Sequence, residues 1–175
     1  MAFCVDSSAF IQAHQRYYPA DLVPGFWDSL AAHAATGQVI TIDEVRREIV
    51  HPGAQDQLAQ WMQTHAAMLV KPNDDPATQL AMKRVDAAMA ARVPPYVYAS
   101  IESFRSGADP WLIAYCLAHQ HILVTHEEPA PRSTTKVRIP DVALLVGVGT
   151  VTLFEMMRTL GIRLVSAPIR GPGTP

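Results

Sequence analysis

The sequence is poor in charge. Asp, Glu, Lys and Arg make up 17% of its 175 residues and leave a net charge of −2. No strong field draws nucleic acid from a distance, which argues against a duplex binder held mainly by phosphate contacts. A nuclease whose acids bind metal and whose basic residues are local stays open. Cysteine is scarce as well. Cys4 and Cys116 both sit inside apolar runs. That suits buried free thiols in a reducing compartment and leaves a disulfide open. Long hydrophobic runs are missing. The longest uncharged apolar stretch, Val142–Phe154, is too short to span a bilayer and holds two glycines. The start, MAFCVDSS, lacks the basic residues and apolar core of a signal peptide. The expectation is a cytoplasmic protein that does not enter membranes. It is one domain over 1–165 with a disordered tail at 166–175.

Familiar catalytic signatures are absent too. There is no nucleophile elbow and no P-loop. Gly147-Val148-Gly149 lacks the third glycine of a dinucleotide fingerprint and reads as a turn. His119, His121 and His126 lack the helical two-His-plus-Glu pattern, and no cysteine pair supports them, so zinc is not expected.

What the sequence does have is alternation. Residues 107–128 read GADPWLIAYCLAHQHILVTHEE. Asp109-Pro110 opens a helix too apolar for a surface, and Ile122–Thr125 is short and branched like a buried strand. Further strands are expected at Ala2–Val5, Val39–Ile42, Gly149–Thr152 and Arg163–Val165. Helices are expected over Ala9–Ala13, Phe26–Ala35, Asp43–Val50, Asp141–Val146 and Phe154–Leu160. Three more pieces, Gln55–Ala67, Pro76–Arg92 and Tyr96–Phe104, fill the middle. The fold class is α/β: three layers, α/β/α, around a mostly parallel sheet, with a helical insertion.

On that map the acids fall in one place. Asp6 ends the first strand, Glu127 lies just past a later one, and Asp109 starts a helix on the same side of the sheet. Glu44 and Glu48 share a face of the helix after the second strand. Asp141 begins a short helix after Ile139-Pro140. This edge is where open α/β sheets bind ligands. Each acid alone has an ordinary use: Asp109 or Asp141 as a cap, Glu44 on a solvated face, Glu127 in a polar loop. Together they repel one another, and each raises its neighbour's pKa unless a cation intervenes. Mg²⁺ or Mn²⁺ suits such a set, because hard ions take oxygen ligands and serve phosphodiester hydrolysis.

The basic residues Arg132, Lys136 and Arg138 fall in a loop without acids between Pro129 and Pro140. They suit phosphate contact near Glu127, or a solvated loop, as does Arg16. Tyr17, Tyr18 and Trp27 suit base stacking or simple packing. Thr125 suits a hydrogen bond to a ligand carboxylate or a metal-bound water, and His126, near the site, suits a bystander more than a substrate contact. An aspartate-nucleophile phosphatase would want a second Asp where Ser8 stands, which counts against that class.

These residues carry a resemblance. The strand-Asp pattern VDSSAFI, EVRREIV with Val45 three before Glu48, ADPWLIAYCLA with Asp109, Ile113 and Ala114, and VTHE with Thr125 and Glu127 resemble the PIN domain family. That family includes many bacterial toxin endoribonucleases of the VapC-like kind. The likeness covers most of the chain. It is nearest to a PIN-like group of unknown function with RYYP, PGFWD, ADPWLIA, VTHE and IPDV segments. The resemblance implies a ribonuclease with Asp6, Glu48, Asp109 and Glu127 as catalytic metal ligands, and prefers Glu48 over Glu44. It also implies an RNA substrate, an antitoxin partner and a possible homodimer. Two departures stand out: many family members have Asp where Glu127 stands and Asn where Ser8 stands. Asp141 lies outside the core pattern, as an added ligand or a cap. The alternative is a PIN-like binding or regulatory module without catalysis.

Overall fold

The structure is a computed structural model that describes residues 1–51, 53 and 56–164. The expected tail lies outside them. Five strands form one parallel sheet in the order β3-β2-β1-β4-β5. They are β1 (Phe3–Val5), β2 (Val39–Ile42), β3 (Val70–Lys71), β4 (Ile122–Val124) and β5 (Thr150–Val151). The register runs Cys4 to Ile40 on one side of β1 and Cys4 to Leu123 on the other. All four residues of β2 are buried, as expected where helices cover both faces of a parallel sheet. Thr41 sits in that strand because its Oγ1 donates to Val5 O at 2.7 Å, which satisfies the hydroxyl.

The helices make the other two layers. They are α1 (Ser7–Gln12), α2 (Pro24–Ala35), α3 (Asp43–Ile49), α4 (Gln57–Leu69), α5 (Pro76–Ala90), α6 (Tyr98–Arg105), α7 (Asp109–His119), α8 (Ile139–Val146) and α9 (Leu153–Leu160). A π-helical turn, Ala13–Tyr17, extends α1. Helices α2 and α4 pack together on one side, and α5, α7 and α8 on the other. Helix α7 is buried over Leu112–Cys116, which explains its unbroken apolar sequence. Its neighbours cover it almost all round. Cys4 and Cys116 are buried free thiols. Among the described residues, no helix is long and apolar enough to cross a membrane.

Several expectations need correction. Helix α4 runs to Leu69, past the expected end at Ala67, and an unexpected two-residue strand, β3, follows it directly. Arg163 and Leu164 form no strand, and Val165 lies outside the described residues. Helix α8 begins at Ile139, not Asp141, because Pro140 fits its first turn. Asp109 is not the cap of α7. Ala108 holds the cap position and no side chain caps it. Asp109 is therefore free for other work.

Helix α5 is capped by Asp75, which accepts from Ala77 N and Thr78 N at 3.0 Å each and from Thr78 Oγ1 at 2.6 Å. These bonds, with His119 at 3.3 Å, hold its carboxyl down to about 2. The stability it adds is present above the unfolded pKa and is lost as pH falls toward 2. Asp75→Ala should lower the stability at pH 7 by about 1 kcal/mol in urea unfolding, the usual worth of a cap. Most of that difference should vanish in acid.

Candidate functional site

Strand order fixes where a site can form. From β1 the chain steps to β2 and β3 on one side, then to β4 and β5 on the other. The switch point lies between β1 and β4, at their carboxyl ends. Asp6 follows β1, and Thr125 and Glu127 follow β4. The short loops after these strands leave the acids at that crevice.

Asp6 is 2% exposed, yet well supplied with donors. Ser8 Oγ donates to its Oδ2, as does Thr125 Oγ1 at 2.9 Å. Ser7 Oγ stands 3.3 Å from Oδ1 and donates at 2.6 Å to Glu48 Oε2. With a single proton, Ser7 serves Glu48 first and bridges the two acids. Burial raises the Asp6 pKa, the Ser8 and Thr125 bonds oppose that rise, and the Glu127 charge adds to it. The other oxygen of Glu48 accepts from Ala108 N at 2.9 Å, on the residue before Asp109. That bond ties α3 to the start of α7. Gly107 lies against the same oxygen: a Cβ there would stand 3.5 Å from Glu48 Oε1.

Asp109 shows that the four carboxylates share one field. Its pKa is pushed up to about 7, first by burial, then by the charges of Asp6, Glu127 and Glu48. Glu127 holds the loop on the far side. Its Oε2 accepts from Ile139 N at 2.8 Å, at the start of α8, and its backbone N donates to Thr125 Oγ1 at 3.1 Å. Asp109 and Glu127 line a cavity of about 370 Å³ together with Ser100, Ser103, Phe104 and Lys136. Lys136 lines that cavity and is exposed, as are Arg132 on the same loop and Arg16 on the π-helical turn.

Two expected residues, Arg138 and Asp141, do other work, and so does the less favoured Glu44. Arg138 is 3.8 Å from Glu127 Oε1 and serves as its counter-ion, which competes with a phosphate role. Asp141 is not brought to the cluster. Both its oxygens accept from Ala130 N, at 3.1 and 2.9 Å, and its charge acts on Tyr96 rather than on Asp109. It pins the loop after Glu127 instead of widening a ligand set. Glu44 pairs with Arg47 at 3.1 Å and lines a separate cavity. Of the two candidates on α3, it is Glu48 that reaches Asp109.

The aromatic residues near the site are mainly packing. Trp27 is 4% exposed and donates Nε1–H to Tyr18 O at 2.8 Å, and Tyr18 stacks on Phe26 at 4.3 Å. Tyr17 lies 5.3 Å from His126, whose pKa burial lowers. His119 and His121 sit together, away from the acids, where Ala2 N donates to His121 Nδ1. Ser7, the Ala108 amide and the Ile139 amide are the site's partners that the sequence did not single out. The paired serines after Asp6 were the one available sign.

Among the described residues, no three His, Cys, Asp or Glu side chains are assembled as a metal centre. Glu48 and Glu127 spend oxygens on backbone and hydroxyl donors instead. The donor chemistry nevertheless suits a hard divalent ion. The set is all oxygen, and its charges push up the Asp109 pKa. A cation is the direct relief for that strain.

The model of one family, Domain of unknown function (DUF4411), matches residues 3–164, and the chain belongs to that family. No curated protein matches it.

Proposed function

We propose that this DUF4411 member is a metal-dependent endoribonuclease that hydrolyses RNA phosphodiester bonds in the cytoplasm as the toxin of a toxin–antitoxin pair. One observation carries the catalytic part. Four carboxylates from separate segments meet in one field at the switch point of a parallel sheet, with Asp109 raised to about 7. The toxin role and its antitoxin partner rest on the PIN-like resemblance of VDSSAFI and ADPWLIAYCLA.

Asp6, Glu48, Asp109 and Glu127 would hold Mg²⁺ or Mn²⁺. When bound, such an ion supplies a Lewis acid for a phosphoryl oxygen. The rest falls to the chain. Thr125 and Ser8 fix the Asp6 carboxylate, and Ser7 and the Ala108 amide fix Glu48. Asp109 gives up its proton as the ion binds. Lys136 meets a phosphate across the cavity from Asp109.

A second reading, a binding module without catalysis, draws support from one observation. Glu48 and Glu127 are already engaged by protein donors. Incubation of partner-free protein with structured and single-stranded RNA plus Mn²⁺ separates the two. The nuclease should cleave, and cleavage should vanish with EDTA, Asp6→Asn and Asp109→Asn. Intact RNA throughout, with no Mn²⁺ binding, would favour the module.

A further inference from the structure

Helices α5 and α8 pack together and leave a groove of about 480 Å³ on the surface. Its apolar lining is Ala88 and Ala91 at the end of α5, Val93 just after it, Leu144 and Leu145 on α8, and Pro131. Val93 is 90% exposed, Leu144 77% and Leu145 46%. Helix α8 already buries Ile139, Val142 and Ala143 in the core, so the fold leaves its two leucines to solvent. Large apolar side chains gathered in one groove, rather than scattered singly, mark an interaction surface.

The groove does not suit a small polar ligand. Such sites orient their ligand with a few convergent polar groups. The two polar side chains here, Arg92 and Asp141, are already engaged. Arg92 donates to the carbonyls of Pro94, Pro131 and Ser133, and both Asp141 oxygens accept from Ala130 N. What remains is a trough between two helices, floored by small residues and walled by Val93, Leu144 and Leu145. A third helix packs into such a trough, with apolar anchors at i, i+3 or i+4, and i+7.

The rim decides which helix. Arg84 stands one turn before Ala88 on the same face of α5, and Arg132 follows Pro131. Both are exposed, and among the described residues neither makes an ion pair or hydrogen bond. By contrast, Arg46, Arg47, Arg105 and Arg138 each pair with an acid. Two unpaired cations beside an apolar floor complement an acidic amphipathic segment. They disfavour a second copy of this chain, because a two-fold contact would set the same cations against each other. Residues 165–175 complement them no better, since they add Arg170 and no acid. The occupant therefore belongs to another protein.

We propose that the groove between α5 and α8 docks an acidic amphipathic helix of a partner protein, with Leu144, Leu145 and Val93 as its apolar seat and Arg84 and Arg132 as its charged rim. The proposal goes beyond the ribonuclease reading, because none of the four clustered acids lines this groove. Random peptides of about 16 residues, long enough for four helical turns, are displayed on phage and selected on the full chain. Enriched peptides should be acidic, with apolar residues at helical spacing. The tightest, made synthetically, should bind Leu144→Glu and Arg84→Glu at least about tenfold more weakly than wild type. Both positions are exposed, and circular dichroism checks that both variants fold. The same peptide with Lys in place of each Glu should lose binding to wild type and regain it on the double variant Arg84→Glu/Arg132→Glu. No enrichment, enriched peptides without acidic character, or equal binding to Leu144→Glu would overturn the proposal. So would self-association in sedimentation that Leu144→Glu abolishes, which would make the groove a contact between copies. Binding to phosphatidylserine vesicles that the same substitution abolishes would overturn it too, in favour of a lipid surface.

Discussion

Asp109→Asn should yield a protein that cleaves no RNA yet is more stable than wild type above pH 7. The sign follows from the raised pKa of about 7. An ordinary unfolded Asp titrates near 4. Between these values the folded chain holds a proton that the unfolded chain has lost, so stability falls as pH rises. The favourable contribution is complete below about pH 4 and gone above about pH 7. Three pKa units correspond to about 4 kcal/mol at most. Asp109 is not fully buried, which brings the expected loss to about 2–4 kcal/mol. Asn keeps the shape and cannot ionise. Urea unfolding across pH 4–8 should therefore show a steeply descending wild-type curve and a shallower variant, which keeps the smaller slope of buried Asp6, the two diverging as pH rises. Parallel curves would mean that the carboxylates do not share a field. Added Mn²⁺ should restore wild-type stability at pH 8 and leave the variant almost unmoved.

Arg92→Met should cause the largest loss of stability, about 3 kcal/mol. Arg92 is 9% exposed, and its guanidinium donates to Pro94 O, Pro131 O and Ser133 O at 2.5, 2.6 and 2.9 Å. It also lies 4.0 Å from the centre of the Tyr96 ring. Hydrogen bonds from a charged donor are worth about 1.5–3 kcal/mol each, less when they act together. Met keeps the packing and removes the donors. Three carbonyls would then lose their partner, and the 130–138 loop would lose its anchor to the segment after α5. That loop carries Lys136 and Arg138 to the acids. Hydrogen exchange should speed up over residues 130–138 while strands β1 and β4 stay protected. Uniform acceleration, or none, would show that the loop is held by something else.

Much of this site was legible in the sequence because parallel strands constrain it. Once β1 was read from its short apolar run and β4 from its branched residues, Asp6 and Glu127 had to fall at one edge. Asp109 had to start the helix that returns to it. The three-layer fold followed from the same alternation. What stayed hidden depended on contacts across the chain. Whether Asp141 faced the acids depended on Ala130, whose amide takes both its oxygens. Whether Arg138 was free depended on Glu127. Ser7 read as one more small polar residue, and only the fold shows it between Asp6 and Glu48. Strand β3 is two residues long and continues directly from α4, too short for any period to register. The Thr152–Glu155 capping box that starts α9 is a local signal and could have been read directly.

The most direct test of the shared carboxylate field is a calorimetric titration with Mn²⁺ near pH 7, in two buffers of different ionisation heat. Near that pH about half of the Asp109 carboxyls carry a proton. Wild-type protein should bind Mn²⁺ saturably and release about half a proton per site. Asp109→Asn should release none and bind at least about tenfold more weakly. Absence of binding by wild type, or binding with the same affinity and proton release in the variant, would contradict a metal centre built on these four acids.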